Sequence, residues 1–555
     1  MMLGLIVATP LLLSIMIAAG SWSRSQALTG IMETGMRLAP WASALLIWPV
    51  IEPTQVMLNW PLDGFQLRVD DVARPLLLLT AIAWTLAALM ARSVIQSHRQ
   101  SFWLGWLLSL TGMNLVLLAG DLIAFYFGYA LLSLCSYLLI IHHRDDQAWR
   151  AGRIYLVLTL AGEGAVLAGV LLIAARLGNA ELAELASSAA PGMHAITAWL
   201  LLIGLAVKLG IVPLHAWLPL AHPVAPVPAS AILSGVIVKA GLLGWLRLVP
   251  SDLPSLASWT HLLLIVGLAT AFGGIGLGLF QQRIKTVLAY STISQMGLIL
   301  TGFALSFQLP ELRAEIIIVL GFFALHHGLN KTSLFMACGC APGRSGWRML
   351  MVVLPALSLS AAPLSTGYVA KKLLKHSVEQ VELAATLVPI LSLTSLATAL
   401  LMWKLVGLAA AEKEVDAGAH PAWITLTLLA LTVPWAWAIV HGLADPPTAA
   451  GLWAGTWPLL LAALIIAAWR QVPMLQGLAW RVPEGDWIVG AETLLLWFHS
   501  RRPALALARP PRHWWLMFMK RSKHLHRRIE DQLSRLPLAG LLMLSVTALL
   551  WWLLQ

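Results

Sequence analysis

The sequence predicts an all-α polytopic membrane protein of about sixteen transmembrane helices, with two inverted repeats that contain broken helices. Three observations predict it. Of the 555 residues, 59% are hydrophobic and 11% charged, and mean hydropathy is +0.81; soluble domains carry roughly 45–50% apolar and 25% charged residues. Apolar runs of about 17–25 residues, each long enough to span a bilayer, recur nearly to the end of the chain. Ionisable residues and prolines stand inside these runs, at corresponding places in two halves.

The runs lie near 2–20, 38–52, 73–91, 102–119, 121–141, 153–176, 195–212, 228–248, 260–280, 285–306, 313–338, 349–370, 386–409, 421–442, 451–469 and 538–554. No basic residue precedes the first apolar core, "MMLGLIVATPLLLSIMIAAG", so it reads as a membrane helix rather than a cleaved signal. Loop charge tests the count. With the N-terminus outside, one set of loops carries Arg24, Arg92, Arg99, Arg144, Arg150, Arg153, Arg283, Lys285, Arg344 and Arg348. The opposite set carries Asp70, Asp71, Glu181, Glu184, Asp252, Glu311, Glu379, Glu382 and Asp445. Basic loops belong in the cytoplasm, so both ends are expected outside a bacterial inner membrane. The net charge of +11 is thereby explained by loops, and no nucleic acid is expected.

The chain divides into N-terminal helices over 1–101, a first repeat over 102–248, a second over 260–409, further helices over 410–469, and a last span over 538–555. Between them, 470–537 is polar and basic. There Trp514, Trp515, Leu516, Phe518 and Met519 abut a run of Arg and Lys, the pattern of an amphipathic helix on the cytoplasmic face. Cys135, Cys338 and Cys340 read as packing residues, since Cys338-Gly-Cys340 has no second pair for a metal. Neither a cofactor nor a metal site is expected.

An ionisable side chain at the centre of a bilayer costs roughly 2.5–3.5 kcal/mol on insertion scales, so each such residue is a functional candidate. Lys208 and Lys239 flank the proline-rich stretch "LGIVPLHAWLPLAHPVAPVPASAILSGVIV". Glu163 sits in "LTLAGEGAVLAGVLL", and His326, His327 and Lys331 in "GFFALHHGLNKTSLFMACG", where His327 and Lys331 share a helix face. Lys371 and Lys372 follow "SLSAAPLSTGYVA", and Lys404 sits in "LATALLMWKLVGL". Lys372 and Lys404 approach span ends, where a lysine also snorkels to the headgroups. Groups whose proton affinity is set by burial and neighbours, linked by water, make a proton relay. Pro213 and Pro363 each break a spanning helix, and paired breaks in two halves point to an ion path. In span order Lys208 pairs with Lys371, Lys239 with Lys404, and Glu163 with Lys331.

The stretch "KLGIVPLHAWLPLAHPVAPVPASAILSGVIVKAG" resembles the signature of the antiporter-like proton-conducting subunits of respiratory complex I, Mrp antiporters and membrane-bound hydrogenases. "RIKTVLAYSTISQMG", "HHGLNKTSLFMACG" and "LSLSAAPLSTGYVAK" resemble its later motifs in order, over roughly 70–410. The form of the first motif is nearer the hydrogenase-type and Mrp-type members. The resemblance implies that Lys208 is the lysine of a broken seventh helix and Lys239 the relay group of the eighth. It implies that His327 and Lys331 lie on the central axis, and that Lys371 is the exit lysine of a broken twelfth helix. Ser291, Ser294 and Gln295 match a polar patch that holds relay water.

The family pattern has a glutamate in the fifth helix, partner to the lysine matching Lys208. Here "GYALLSLCSYLLI" puts Ala130 at that place, and Glu163, one helix on, is the candidate substitute. The expected function is a proton-translocating or cation/proton antiport subunit of a multisubunit complex, driven by redox chemistry or an ion gradient. It would do no covalent chemistry itself, though it fits a subunit of an NADH:quinone-type or hydrogenase-type oxidoreductase. Its expected partners are other membrane subunits, lipid, and protons or Na+. The alternatives are a structural membrane anchor with a disabled relay and a subunit of energy-coupled inorganic carbon uptake.

Overall fold

Helix α1 (Met2–Ala18) opens the chain, and a two-stranded hairpin, β1 (Gln55–Leu58) and β2 (Phe65–Arg68), follows it. Then come α2 (Arg74–Val94), α3 (Arg99–Leu118), α4 (Leu122–Ile140), α5 (Asp146–Leu177), the short α6 (Leu182–Ser187) and α7 (Ala195–Leu209). After α8 (Trp217–Val224), α9 crosses from Val227 to Leu248. The second part holds α10 (Thr260–Leu279), α11 (Ile284–Leu305), α12 (Arg313–Ala337), α13 (Gly346–Leu359), α14 (Thr366–Glu379) and α15 (Ala384–Ala411). Helices α16 (Pro421–Val440) and α17 (Ala449–Gln471) complete the bundle. This computed structural model describes residues 2–18, 34–35, 38–40, 55–58, 65–187, 194–250, 254–340, 346–412, 420–471, 482–490 and 492–494.

Among the described residues, eleven helices are long and apolar enough to cross a membrane, and α1, α7 and α13 are shorter apolar helices. The chain is therefore a multi-pass membrane protein. The count of sixteen is not reached among the described residues. Most of the expected span at 38–52, the span at 538–554 and the amphipathic stretch Trp514–Met519 lie outside them. The small hairpin is the one departure from an all-helical chain among the described residues. It is fastened to the bundle by Asp121, whose carboxylate accepts from the Gln66 backbone (2.5 Å) and caps α4 through the Ala124 N–H (2.7 Å).

Two expected spans change direction. The runs at 195–212 and 349–370 each hold one half-helix and a break, followed by a second half-helix. The breaks share a backbone. At the first, Gly210 takes φ 72°, with Ile211 N–H bonded to Ala206 O (3.1 Å) and Gly210 N–H to Val207 O (3.1 Å). At the second, Ala361 takes φ 62°, with Ala362 N–H to Leu357 O (3.0 Å) and Ala361 N–H to Ser358 O (3.0 Å). These are Schellman closures, which use up the last carbonyls of α7 and α13. Pro213 and Pro363 follow within the breaks and cannot restart the old helix, because proline has no N–H to donate. An alanine in the left-handed region costs roughly 1–2 kcal/mol.

The centre of the bundle is α9, α11 and α12. The apolar windows of α9 and α11 are wholly buried, whereas that of α17 is 17% buried, so α17 lies at the rim. Helices α5 and α7 approach closely because glycines face each other. A Cβ on Gly204 would come within 2.6 Å of the Gly162 carbonyl. Gly204→Leu forces the two helices apart, and overpacking of this kind typically costs about 1–3 kcal/mol. The expected result is a lowered melting temperature in detergent, read by a thermal-shift assay; an unchanged one means that this contact is not tight.

Candidate functional site

The α5–α7 contact carries the first ionisable pair. Gly162 and Gly204 bring Glu163 and Lys208 to the same interface, 6% and 3% exposed. Each feels the other's charge, yet among the described residues neither carboxylate oxygen nor the ammonium has a hydrogen-bond partner. Lys208 Nζ lies 5.4 Å from the Tyr129 ring centroid and 5.7 Å from that of Tyr155, so two π faces take part of the counter-ion's place. Tyr155 is itself fixed by its hydroxyl, which donates to the Ser133 carbonyl (2.7 Å). Ala130, next to Tyr129 on α4, is half-buried.

Lys239 sits in the middle of α9, fully buried, where the helix widens by one residue per turn. Val238 N–H bonds Leu233 O (3.3 Å), five residues back. Such wide turns recur at functional sites. The widening leaves the Ser234 carbonyl available to Lys239 Nζ, at 2.8 Å. Ser234 Oγ shares a hydrogen bond with Thr292 Oγ1 of α11 (2.7 Å), and Thr292 donates to the Leu288 carbonyl (3.0 Å) when Ser234 donates to it. That same carbonyl accepts from Lys331 Nζ of α12, at 3.0 Å. Lys239 and Lys331 are therefore joined across three helices by a serine, a threonine and two carbonyls.

His327 is fully buried among Lys239, Lys331 and His326, with neither ring nitrogen bonded to any of the described residues. Ser291 Oγ, Ser294 Oγ and Gln295 Nε2 on α11 are likewise buried and without a bond among the described residues, so polar groups cluster along this part of the core. His326 points the other way. Its Nδ1 lies 2.8 Å from Thr366 Oγ1, at the start of α14, and Asn330 Nδ2 is 3.2 Å from the same nitrogen. Thr366 Oγ1 is 3.2 Å from Ser358 Oγ, which closes the second break. One turn further along α14, Lys371 Nζ donates to Thr394 Oγ1 and Ser395 Oγ of α15, both at 2.9 Å.

Two of the lysines singled out in the sequence stand apart from this row. Lys404 Nζ donates to the Leu279 carbonyl (2.5 Å) at the end of α10, where a cation complements the helix terminus. Lys372 is exposed and pairs with Asp445 at 2.8 Å. Several members of the row carry no charge and do not stand out in the sequence: Ser234, Thr292, Asn330, Thr366, Thr394 and Ser395. Polar residues inside apolar runs are their one visible signal.

A second polar group lies at the first break. His215 Nε2 is 2.9 Å from Asp486 Oδ2, and the Tyr290 hydroxyl donates to the same oxygen at 2.8 Å. Burial raises the Asp486 carboxyl, but the hydrogen bonds from His215 and Tyr290 outweigh it and hold the group below the usual carboxylate range. At the far end of α9, buried Arg247 bonds Asp70 Oδ2 (2.7 Å) and the Val116 and Leu117 carbonyls, a structural clasp.

Comparison with known proteins bears on this arrangement. Residues 119–408, just over half of the chain, match the family described as NADH:quinone oxidoreductase/Mrp antiporter, TM. The chain belongs to that family. Among similar proteins is the hydrogenase-4 component B of Escherichia coli (strain K12), 28% identical over 334 residues, covering 55% of this chain and 50% of that one. A probable K(+)/H(+) antiporter component of Rhizobium meliloti (strain 1021) is 32% identical over 333 residues, covering 56% and 32%. The chain thus spans half or less of these two relatives' lengths. A chain of the Mrp complex from Dietzia sp. DQ12-45-1b has the same fold, with TM-score 0.71 at 20% identity over 96% of this chain and 63% of that chain. Glu163, Lys208, Lys239, His326, His327 and Lys331 and both helix breaks of this antiporter-family chain fall inside the matched region.

Proposed function

We propose that the chain is a proton-translocating, or cation/proton antiport, membrane subunit of a multisubunit complex driven by a redox reaction or an ion gradient. The observation that carries this reading is the bridge Lys239–Ser234–Thr292–Leu288–Lys331, continued on the other side by His326–Thr366 and Lys371. Lys331 and Lys371 donate to groups on neighbouring helices, and Lys239 donates to a carbonyl beside the Ser234 hydroxyl, so a proton released by one of them has polar groups beside it. The similar proteins named above include a hydrogenase component and a probable antiporter component, which supports the same class. The two breaks, with their shared backbone closure, support two repeats over 102–248 and 260–409. The alternation of loop charge supports basic loops in the cytoplasm of a bacterial cell and ends outside.

Lys371→Ala tests this. It removes the one ammonium that Thr394 and Ser395 accept from in the described structure, at the end of the row. In vesicles holding the chain with its partner subunits, proton uptake measured with a pH-sensitive dye is expected to fall at least about tenfold. Wild-type uptake by an assembled Lys371→Ala complex contradicts the reading.

A second reading, a membrane anchor whose first half no longer conducts, is favoured by Ala130 and by the lack of a direct ion pair at Lys208. Under it, the variants of the first half leave proton flux unchanged.

A further inference from the structure

The residues Val482–Ile488 return from beyond α17 and lie against the first break, on the side of the basic Arg283 turn. Gln281 Nε2 donates to the Val482 carbonyl (3.2 Å), and Thr286 Oγ1 donates to Glu484 Oε1 (2.8 Å). Arg283 pairs with Glu484 at 3.3 Å, and Trp487 Nε1 donates to the Pro213 carbonyl (2.9 Å). These contacts alone would make a tether. A tether does not need what stands at its middle. Asp486 Oδ2 receives both His215 and Tyr290, while the Trp487 backbone N–H donates to Oδ1 (2.6 Å). The His215 side chain is 2% exposed and that of Asp486 is 9%. On the other side of the ring, His215 Nδ1 is buried and has no partner among the described residues.

We propose that His215 is the proton-uptake group of the first half and that Asp486, supplied by the C-terminal segment, is its positioning residue. The inference rests on the transport reading above. With Nε2–H held toward the Asp486 carboxylate, the open lone pair is on Nδ1. A proton from water bonds to Nδ1 and makes an imidazolium paired with the carboxylate. Its loss from Nδ1, toward Lys208 across the break, restores the neutral ring. One proton enters and one leaves, and no bond to carbon or nitrogen other than N–H changes.

The charged and titratable groups on the elements packed around His215 include Lys208 of α7, His222 of α8, Arg150, Arg153, Tyr155 and Glu163 of α5, Tyr126 and Tyr129 of α4, Arg283, Lys285 and Tyr290 at the α10–α11 end, and Glu484 and Asp486 of the segment. Among them, Asp486 is the one bonded to the ring. Removing its charge takes away the carboxylate that an imidazolium would pair with, so proton uptake is expected to need a lower pH.

The test is the pH profile of proton uptake by the assembled complex in vesicles. Asp486→Asn is expected to move the half-maximal pH down by about one unit, which is roughly a tenfold loss of rate on the alkaline limb. Asp486→Glu should restore the profile. Glu484→Gln loosens the segment and keeps the Asp486 carboxylate that is bonded to His215, and should leave the profile in place. Tyr290→Phe removes one donor from the same carboxylate and should move the profile up, which keeps the proposal open to refutation if Asp486→Asn does not assemble. An unmoved profile in Asp486→Asn or Tyr290→Phe overturns the proposal, and so does an equal shift in Glu484→Gln. If the wild-type complex moves no protons, the transport reading fails and this proposal falls with it.

Discussion

Lys239→Met is expected to lower proton flux through the chain by about a hundredfold or more while the complex still assembles. Lys239 is fully buried, and its ammonium donates to the Ser234 carbonyl of its own helix. Methionine has similar length and volume, so the packing of α9 against α11 and α12 survives. Burying an ammonium costs roughly 2.5–3.5 kcal/mol on insertion scales, and the substitution relieves that cost. Folding therefore has little to lose, whereas the route from Lys239 to Lys331 loses its first proton carrier. Ser234 and Thr292 remain, but hydroxyls of ordinary proton affinity cannot hold a proton between steps. Flux is read by dye quenching in vesicles, and assembly by native gel. A Lys239→Met complex that pumps at the wild-type rate removes Lys239 from the path.

The second large effect concerns the missing fifth-helix carboxylate. Glu163→Gln keeps the shape of the side chain and deletes its charge. Glu163 is the acidic group whose charge reaches Lys208 among the described residues. Without it, Lys208 keeps two tyrosine rings, and a cation–π contact is worth about 0.5–2 kcal/mol, less than the cost of an unpaired buried ion. Flux should fall at least about tenfold. Two further variants separate a specific pair from general damage. Ala130→Glu in the Glu163→Gln background should recover part of the flux if a carboxylate beside Lys208 is what matters. The double variant Glu163→Gln, Lys208→Ala should be no worse than either single one, with a coupling of about 0.5–3 kcal/mol. Strict additivity, or wild-type flux in Glu163→Gln, shows that Glu163 has not replaced the usual partner.

Much of this site is legible from residue types in sequence. Lys208, Lys239, Lys331 and Lys371 are visible because a charge inside an apolar run is costly and therefore rare. The breaks are visible because Pro213 and Pro363 cannot be accommodated mid-helix without losing a backbone hydrogen bond. What connects the lysines is not legible. Ser234 and Thr292 are small polar residues that helices bury at little cost, and many others in the chain do nothing of the kind. Lys404 shows the converse. Its apolar flanks resemble those of Lys239, yet its ammonium is taken by the end of α10.

The sequence by itself determined the class of molecule, the places where ionisable groups enter the membrane region, and the prolines at which two helices can break, although Pro389, Pro434 and Pro458 sit inside unbroken ones. Each of these follows from local physics: the transfer cost of side chains and the missing N–H of proline act within one segment. Tertiary structure decided which groups meet. Glu163 reaches Lys208 because two glycines let α5 and α7 touch, and Lys239 reaches Lys331 through Ser234 of its own helix and Thr292 of α11. Asp486 meets His215 across 271 positions of chain, a separation at which no local pattern carries information. Such contacts depend on the register between helices, which the packing of the whole bundle sets.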